Sequence, residues 1–144
     1  MKRLHVHMGV KKFDDAVTFY NAIFGEGPVK LKAGYAKWAP ADLGVNFVIS
    51  QTEGDGGIGH LGVEVQEDDE LTRLGMRLRA VDAPLLVDGD VSCCYAKSKK
   101  AWSEDPGGIT WELFHTYGED EAFQPKRIGS DKVEGFEGVE VIAR

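Results

Sequence analysis

Ser92–Thr116 reads SCCYAKSKKAWSEDPGGITWELFHT, and its closing half decides the fold. Asp105-Pro106-Gly107-Gly108 carries the residues of a tight turn. Ile109–Phe114 then reads as a short, mostly buried strand with one carboxylate, Glu112, among apolar residues. A charge in such a place is costly unless it is paired or coordinated. The partner of Glu112 is therefore the first functional question. Ahead of the turn stand two adjacent thiols, Cys93 and Cys94, and a basic aromatic segment with Lys97, Lys99, Lys100 and Trp102.

Upstream, the same kind of unit occurs twice. Leu4–Val10 alternates as a strand, with Leu4, Val6 and Met8 on one face and His5 and His7 on the other. Phe13–Phe24 has helical spacing, its stripe made by Phe13, Ala16, Val17, Tyr20, Ile23 and Phe24. Asp14 and Asp15 suit its start and Gly25 its end. Short strands are predicted near Val29–Lys32, Tyr35–Ala39 and Val45–Ser50. After the polar, glycine-rich Thr52–Gly57 the pattern restarts. Ile58–Val65 reads as a strand and Asp68–Val81 as a helix with Leu71, Leu74, Leu78 and Val81 on one face. Strands near Leu85–Asp88, Val91–Ala96, Ala101–Glu104 and Ile109–Phe114 complete it.

The repeat is βαβββ, and aligning the copies sets His60 opposite His5, an offset of 55 positions. The fold class predicted is α+β: two βαβββ modules, about 1–52 and 58–117, forming a half-barrel cleft within one domain over 1–117. Residues 118–144 form an acidic extension outside the repeat. It reads as a partly ordered tail, or more sharply as an arm that packs on a partner subunit or covers the cleft.

Composition narrows the class. With 17 Lys+Arg against 24 Asp+Glu in 144 residues the net charge is −7, which argues against nucleic-acid binding as the main role. No apolar stretch approaches the ~20 residues of a membrane span, so the protein is expected in the cytoplasm. A disulfide between Cys93 and Cys94 would close a strained ring and crosslink nothing, so both are read as reduced thiols.

Strand alternation turns His5, His60 and Glu112 away from the residues that pack on helices. Two imidazoles and one carboxylate form a facial donor set suited to Fe(II), Mn(II), Ni(II) or Zn(II), and the donors alone do not choose among them. A lone histidine is more often a satisfied core or surface residue. Two at equivalent places of a repeat, with a carboxylate on the last strand, reverse that expectation. His7 shares the face of His5 and is read as a local hydrogen-bonding group, with substrate contact or proton transfer as the alternative. His115 falls on the face opposite Glu112 and is not expected to be a ligand.

LHVHMGV (4–10), TFYNAIFG (18–25), GHLGVEV (59–65) and DPGGITWEL (105–113) resemble the vicinal oxygen chelate superfamily of glyoxalases, extradiol dioxygenases and bleomycin- and fosfomycin-resistance proteins. The resemblance implies metal ligands on the first, fifth and eighth strands, at His5, His60 and Glu112. Glyoxalases proper add a carboxylate on the fourth strand. Val45–Ser50 offers none, which counts against a glyoxalase reaction.

The thiols admit two readings by themselves. Neighbours in a regular strand point apart, so two thiols on one atom require a loop, bulge or strand end. Two thiolates, favoured by Lys97, Lys99 and Lys100, suit a soft centre such as As(III) or Cd(II). Otherwise they are two small, half-buried strand residues. CCYAKSKKAW with DPGGITWELFHT, together with YAKW (35–38) and VNFVIS (45–50), resembles the organoarsenical carbon–arsenic lyase branch and its cadmium-induced relatives. The chain departs from that pattern in its acidic tail and around Lys99–Ser103.

The resemblance implies that Cys93 and Cys94 hold trivalent arsenic while Fe(II) and dioxygen break the carbon–arsenic bond, in an enzyme expected to be a homodimer. Phe47, Tyr35, Trp38, Tyr95 and Trp102 are candidates to line the pocket, against core packing as the plainer role. The competing readings are an extradiol-type dioxygenase with incidental thiols and a protein that sequesters a thiophilic metal or drug without turnover.

Overall fold

The computed structural model describes residues 1–93, 96–119 and 140–143. The chain forms two compact units, Arg3–Leu61 and Gly62–Arg144 with Met1–Lys2. The fold is α+β, with a βαβββ module in each half as expected.

The first unit contains β1 (Arg3–Val10), α1 (Phe13–Phe24), β2 (Lys30–Lys32), β3 (Tyr35–Trp38) and β4 (Val45–Gln51). The strands lie in the order β2-β3-β4-β1. β1 runs parallel to β4, which sets His5 beside Asn46 and His7 beside Val48. α1 starts on Asp14 and Asp15, whose charge suits a helix N-terminus, and ends at Gly25 in the left-handed region (φ 71°). Phe13, Ala16, Val17, Tyr20 and Phe24 cover a core of Ala36, Trp38, Val45, Phe47 and Ile49. Ile23 does not join them: it is 60% exposed, on the outer face with Phe19. Trp38 and Phe47 pack at tilted and edge-on angles against Tyr20 and each other, so both serve packing.

β5 (Gly57–Val65) carries the chain into the second unit, followed by α2 (Asp68–Ala80), β6 (Leu85–Cys93), β7 (Ala96–Glu104), β8 (Thr110–Glu119) and β9 (Glu140–Ala143). The order here is β5-β8-β7-β6-β9, so β5, β8, β7 and β6 repeat the order of β1, β4, β3 and β2. Leu71, Leu74 and Leu78 of α2 pack on Leu85, Ala101 and Leu113. Val81 is 72% exposed instead of closing that stripe. The helix stops at Ala80, and Asp82 takes a positive φ of 56°, which turns the chain away.

Two sequence readings change. Leu85–Asp88 and Val91–Ala96 are not separate strands. Asp88 and Gly89 looked like a break but sit at a bulge between Val87 and Gly89, within one strand ending at Cys93. The extension also begins later than residue 118, because β8 runs to Glu119, and it returns as β9 against Leu85–Val87 of β6. Residues 120–139 and 144 of the expected tail lie outside the described residues.

Candidate metal centre

β1 and β5 bring His5 and His60 together. Both are buried, and their Nε2 atoms are 3.1 Å apart. The Nδ1 of His5 lies 3.1 Å from the backbone oxygen of Asn46 and 3.3 Å from its side-chain oxygen. A carbonyl only accepts, so Nδ1 carries the proton and Nε2 presents a lone pair toward His60. Two donor atoms in neighbouring positions on one ion stand about 3 Å apart when each bond is about 2.0–2.1 Å. The pair fits a divalent cation by separation, by tautomer and by the backbone group that fixes the ring.

His7 reaches the same place. Its Nε2 lies 2.8 Å from Ser50 Oγ, the local bond expected of it. Its ring centroid is also 4.9 Å from that of His60. His5, His7 and His60 each offer a nitrogen, and these atoms lie within 4.8 Å of one another. Among the described residues they form a candidate metal cluster. The equal parity of positions 5 and 7 in β1 was the signal for His7, and Asn46, polar in an otherwise apolar run, was the signal for the residue that orients His5.

Glu112 is buried in the second unit, as the sequence required. Lys100 Nζ donates to its Oε1, and both side chains are almost fully enclosed. The same ammonium lies 5.7 Å from the ring centroids of Trp102 and Phe114. β7 and β8 pair antiparallel with Trp102 opposite Glu112 and Lys100 opposite Phe114, so these four residues share one face. β5 passes close to Glu112, and Gly62 permits it: a Cβ there would stand 2.4 Å from the Glu112 carbonyl oxygen.

The turn before β8 is held by Asp105. Its carboxylate accepts from the amides of Gly107 (2.9 Å) and Ile109 (3.0 Å) and from Trp111 Nε1 (3.1 Å). The Ile109 amide, and then the Trp111 indole, hold its carboxyl below the usual range. His115 lies on the α2 side, as alternation predicts, with Nδ1 2.9 Å from Asp68 Oδ1. Asp68 also accepts from Lys99 Nζ. The Lys99 bond first and the His115 bond second lower its carboxyl.

Cys93 ends β6, paired with Ala96. Cys94 and Tyr95 lie outside the described residues. Of the three lysines expected to favour thiolates, Lys99 is engaged by Asp68 and Lys100 by Glu112.

No family model matches the chain. A trivalent organoarsenical cleaving enzyme of Thermomonospora curvata is 31% identical over 121 residues, covering 83% of this chain and 80% of that one. The cadmium-induced protein CadI of Mycobacterium bovis is 34% identical over 126 residues, covering 85% and 82%. Among solved structures, the Mn(II)-bound glyoxalase of Novosphingobium aromaticivorans superposes with a TM-score of 0.62 at 16% identity, covering 92% of this chain and 44% of that one. Homoprotocatechuate 2,3-dioxygenase of Arthrobacter globiformis gives 0.61 at 13% identity, covering 81% and 36%. These likenesses in structure are likenesses of fold. By its sequence relatives, the chain belongs to the family of the trivalent organoarsenical cleaving enzymes and cadmium-induced proteins, and its fold is the one shared by that glyoxalase and that dioxygenase.

Proposed function

We propose that this protein cleaves the carbon–arsenic bond of trivalent organoarsenicals, using Fe(II) and dioxygen. The observation that carries the reading is the buried His5–His60 pair, poised as two ligands in a chain 31% identical to an enzyme named for that reaction. His5 and His60 supply imidazole ligands and Glu112 the carboxylate. Bound there, Fe(II) supplies the one-electron and oxygen chemistry that no side chain can. Asn46 keeps the His5 lone pair on Nε2. Lys100 supplies the counter-charge that lets Glu112 be buried as a carboxylate. Cys93 and Cys94 grip arsenic and fix its organic substituent, a task of positioning. Reduced thiols suit the cytoplasm. A homodimer completes the proposal, on family likeness.

The test uses methylarsonous acid with the full chain, Cys93→Ser and Cys94→Ser. Oxygen replaces sulfur at nearly equal size, so the fold is kept while a soft-atom ligand is lost. Wild type, given Fe(II) and oxygen, is expected to release inorganic As(III). Each Ser variant is expected to bind the arsenical at least about tenfold more weakly, as loss of a soft ligand implies. Wild-type affinity and turnover in both variants would favour a dioxygenase with incidental thiols. Tight binding by wild type without release of arsenic would favour sequestration.

A further inference from the structure

We propose that Lys100 is a positioning residue of the metal centre that also sets its charge. Held against Glu112, its ammonium favours a doubly over a triply charged ion and so keeps bound iron ferrous, resting on the reading above that Glu112 ligates iron.

The ammonium is fixed where it stands. Lys100 Nζ donates to Glu112 Oε1, and both side chains are almost fully enclosed. The rings of Trp102 and Phe114 flank it, each centroid 5.7 Å from Nζ. A desolvated ammonium beside aromatic faces is held by their quadrupoles, and moving away would forfeit both rings. The hairpin register builds this cage. Across β7 and β8, Trp102 pairs with Glu112 and Lys100 with Phe114, so cation, carboxylate and rings share one face. All four stand in one compact unit, Gly62–Arg144.

A carboxylate that ligates a metal is characteristically hydrogen-bonded in turn, and its outer partner orients it. Lys100 is that partner for Glu112, and it brings a full positive charge. A neutral donor would orient equally well but would not repel the ion. The ammonium opposes Fe(III) more than Fe(II), by three charges against two. One unit of charge a few ångströms away, at an effective dielectric constant of about 20, outweighs a factor of about ten. Burial limits the screening that salt and water would bring. The ferric form is therefore disfavoured, and the potential of the couple is raised. An enzyme that meets dioxygen with Fe(II) is disabled by oxidation of its metal, and this charge opposes that loss.

The experiment loads the full chain with iron under argon, without arsenical, and titrates the Fe(III)/Fe(II) couple against redox dyes. Lys100→Gln keeps a donor for Glu112 and removes the charge. Its ratio of Fe(III) to Fe(II) affinity is expected to rise at least about tenfold, a fall in potential of about 59 mV or more. Lys100→Met, neutral and without a donor, is expected to fall at least as far, and answers should Lys100→Gln fail to fold. Lys100→Arg keeps the charge and is expected to stay within about twofold of the wild-type ratio, a rescue that a purely structural lysine would not give. An unchanged potential in the neutral variants, or an equal fall in Lys100→Arg, overturns the proposal. If the proposal alone fails, Glu112→Gln still loses its iron or shifts its potential. Iron held at the wild-type potential in Glu112→Gln removes the carboxylate from the centre and overturns both readings.

Discussion

Replacing Gly62 with alanine sets a methyl group against backbone that cannot step aside. The new Cβ would lie 2.4 Å from the Glu112 carbonyl oxygen and 3.2 Å from its carbonyl carbon and its Cβ. Carbon and oxygen in contact need about 3.3 Å, so β5 and β8 must part by about 0.9 Å. A ladder bond of about 2.9 Å then exceeds any useful length. Losing two such bonds costs about 2 kcal/mol, and the residual overpacking adds about 1–2 kcal/mol. The expected loss is about 3–4 kcal/mol, read as a lower midpoint in urea unfolding at constant slope. Gly75→Ala is the internal reference. A Cβ there meets only Leu85 Cδ2, at an ordinary 3.6 Å, and position 75 lies within α2. That variant is expected to gain about 0.5–1 kcal/mol. If Gly62→Ala unfolds within about 0.5 kcal/mol of wild type, as an ordinary surface substitution would, β5 does not run against Glu112 as described.

Lys100→Met removes the counter-charge of an enclosed carboxylate and is expected to cost about 3–5 kcal/mol in the metal-free chain. Lys100→Met with Glu112→Leu is expected to recover most of it, and a double-mutant cycle by urea unfolding checks the coupling. Asp105 titrates below its ordinary value of 3.8 because the folded turn donates to its carboxylate. Its contribution is therefore whole above about pH 4, its unfolded range, and is lost as pH falls through the depressed value. Asp105→Asn is expected to flatten the acid limb of stability against pH, and an unchanged limb in acid titrations followed by circular dichroism would count against the turn.

The elements legible in the sequence were those whose signals agree. α1 runs over the residues its periodicity marks, because Asp14, Asp15 and Gly25 punctuate it and the apolar stripe has a core to cover. His5 and His60 were legible through the repeat, since equivalent strands place equivalent side chains. Asp88–Gly89 misled, because a bulge and a turn use the same residue types and only pairing partners tell them apart. The protein partner of Glu112 could have been found by counting back from the Asp105–Gly108 turn, which sets Lys100 diagonally across the hairpin. The need for a counter-charge was visible in the sequence, and Lys100 supplies it. His7 makes the local hydrogen bond read for it, to Ser50, and its position on the His5 face also sets it in the histidine cluster.

β9 gives the tail a task apart from chemistry. An outermost strand exposes a row of unpaired amides and carbonyls that will accept any passing strand. In the second unit that strand would be β6, and Glu140–Ala143 covers its start at Leu85–Val87. In the first unit the outermost strand is β2, only three residues long, with Lys30 and Lys32 at its ends. Shortness and charge do there what the returning tail does for β6. Both borders thus end in short strands, three and four residues long, which limits growth by strand addition. A chain cut before residue 140 loses one of these guards, and its first failure is expected to be slow self-association through β6, with the histidine cluster intact.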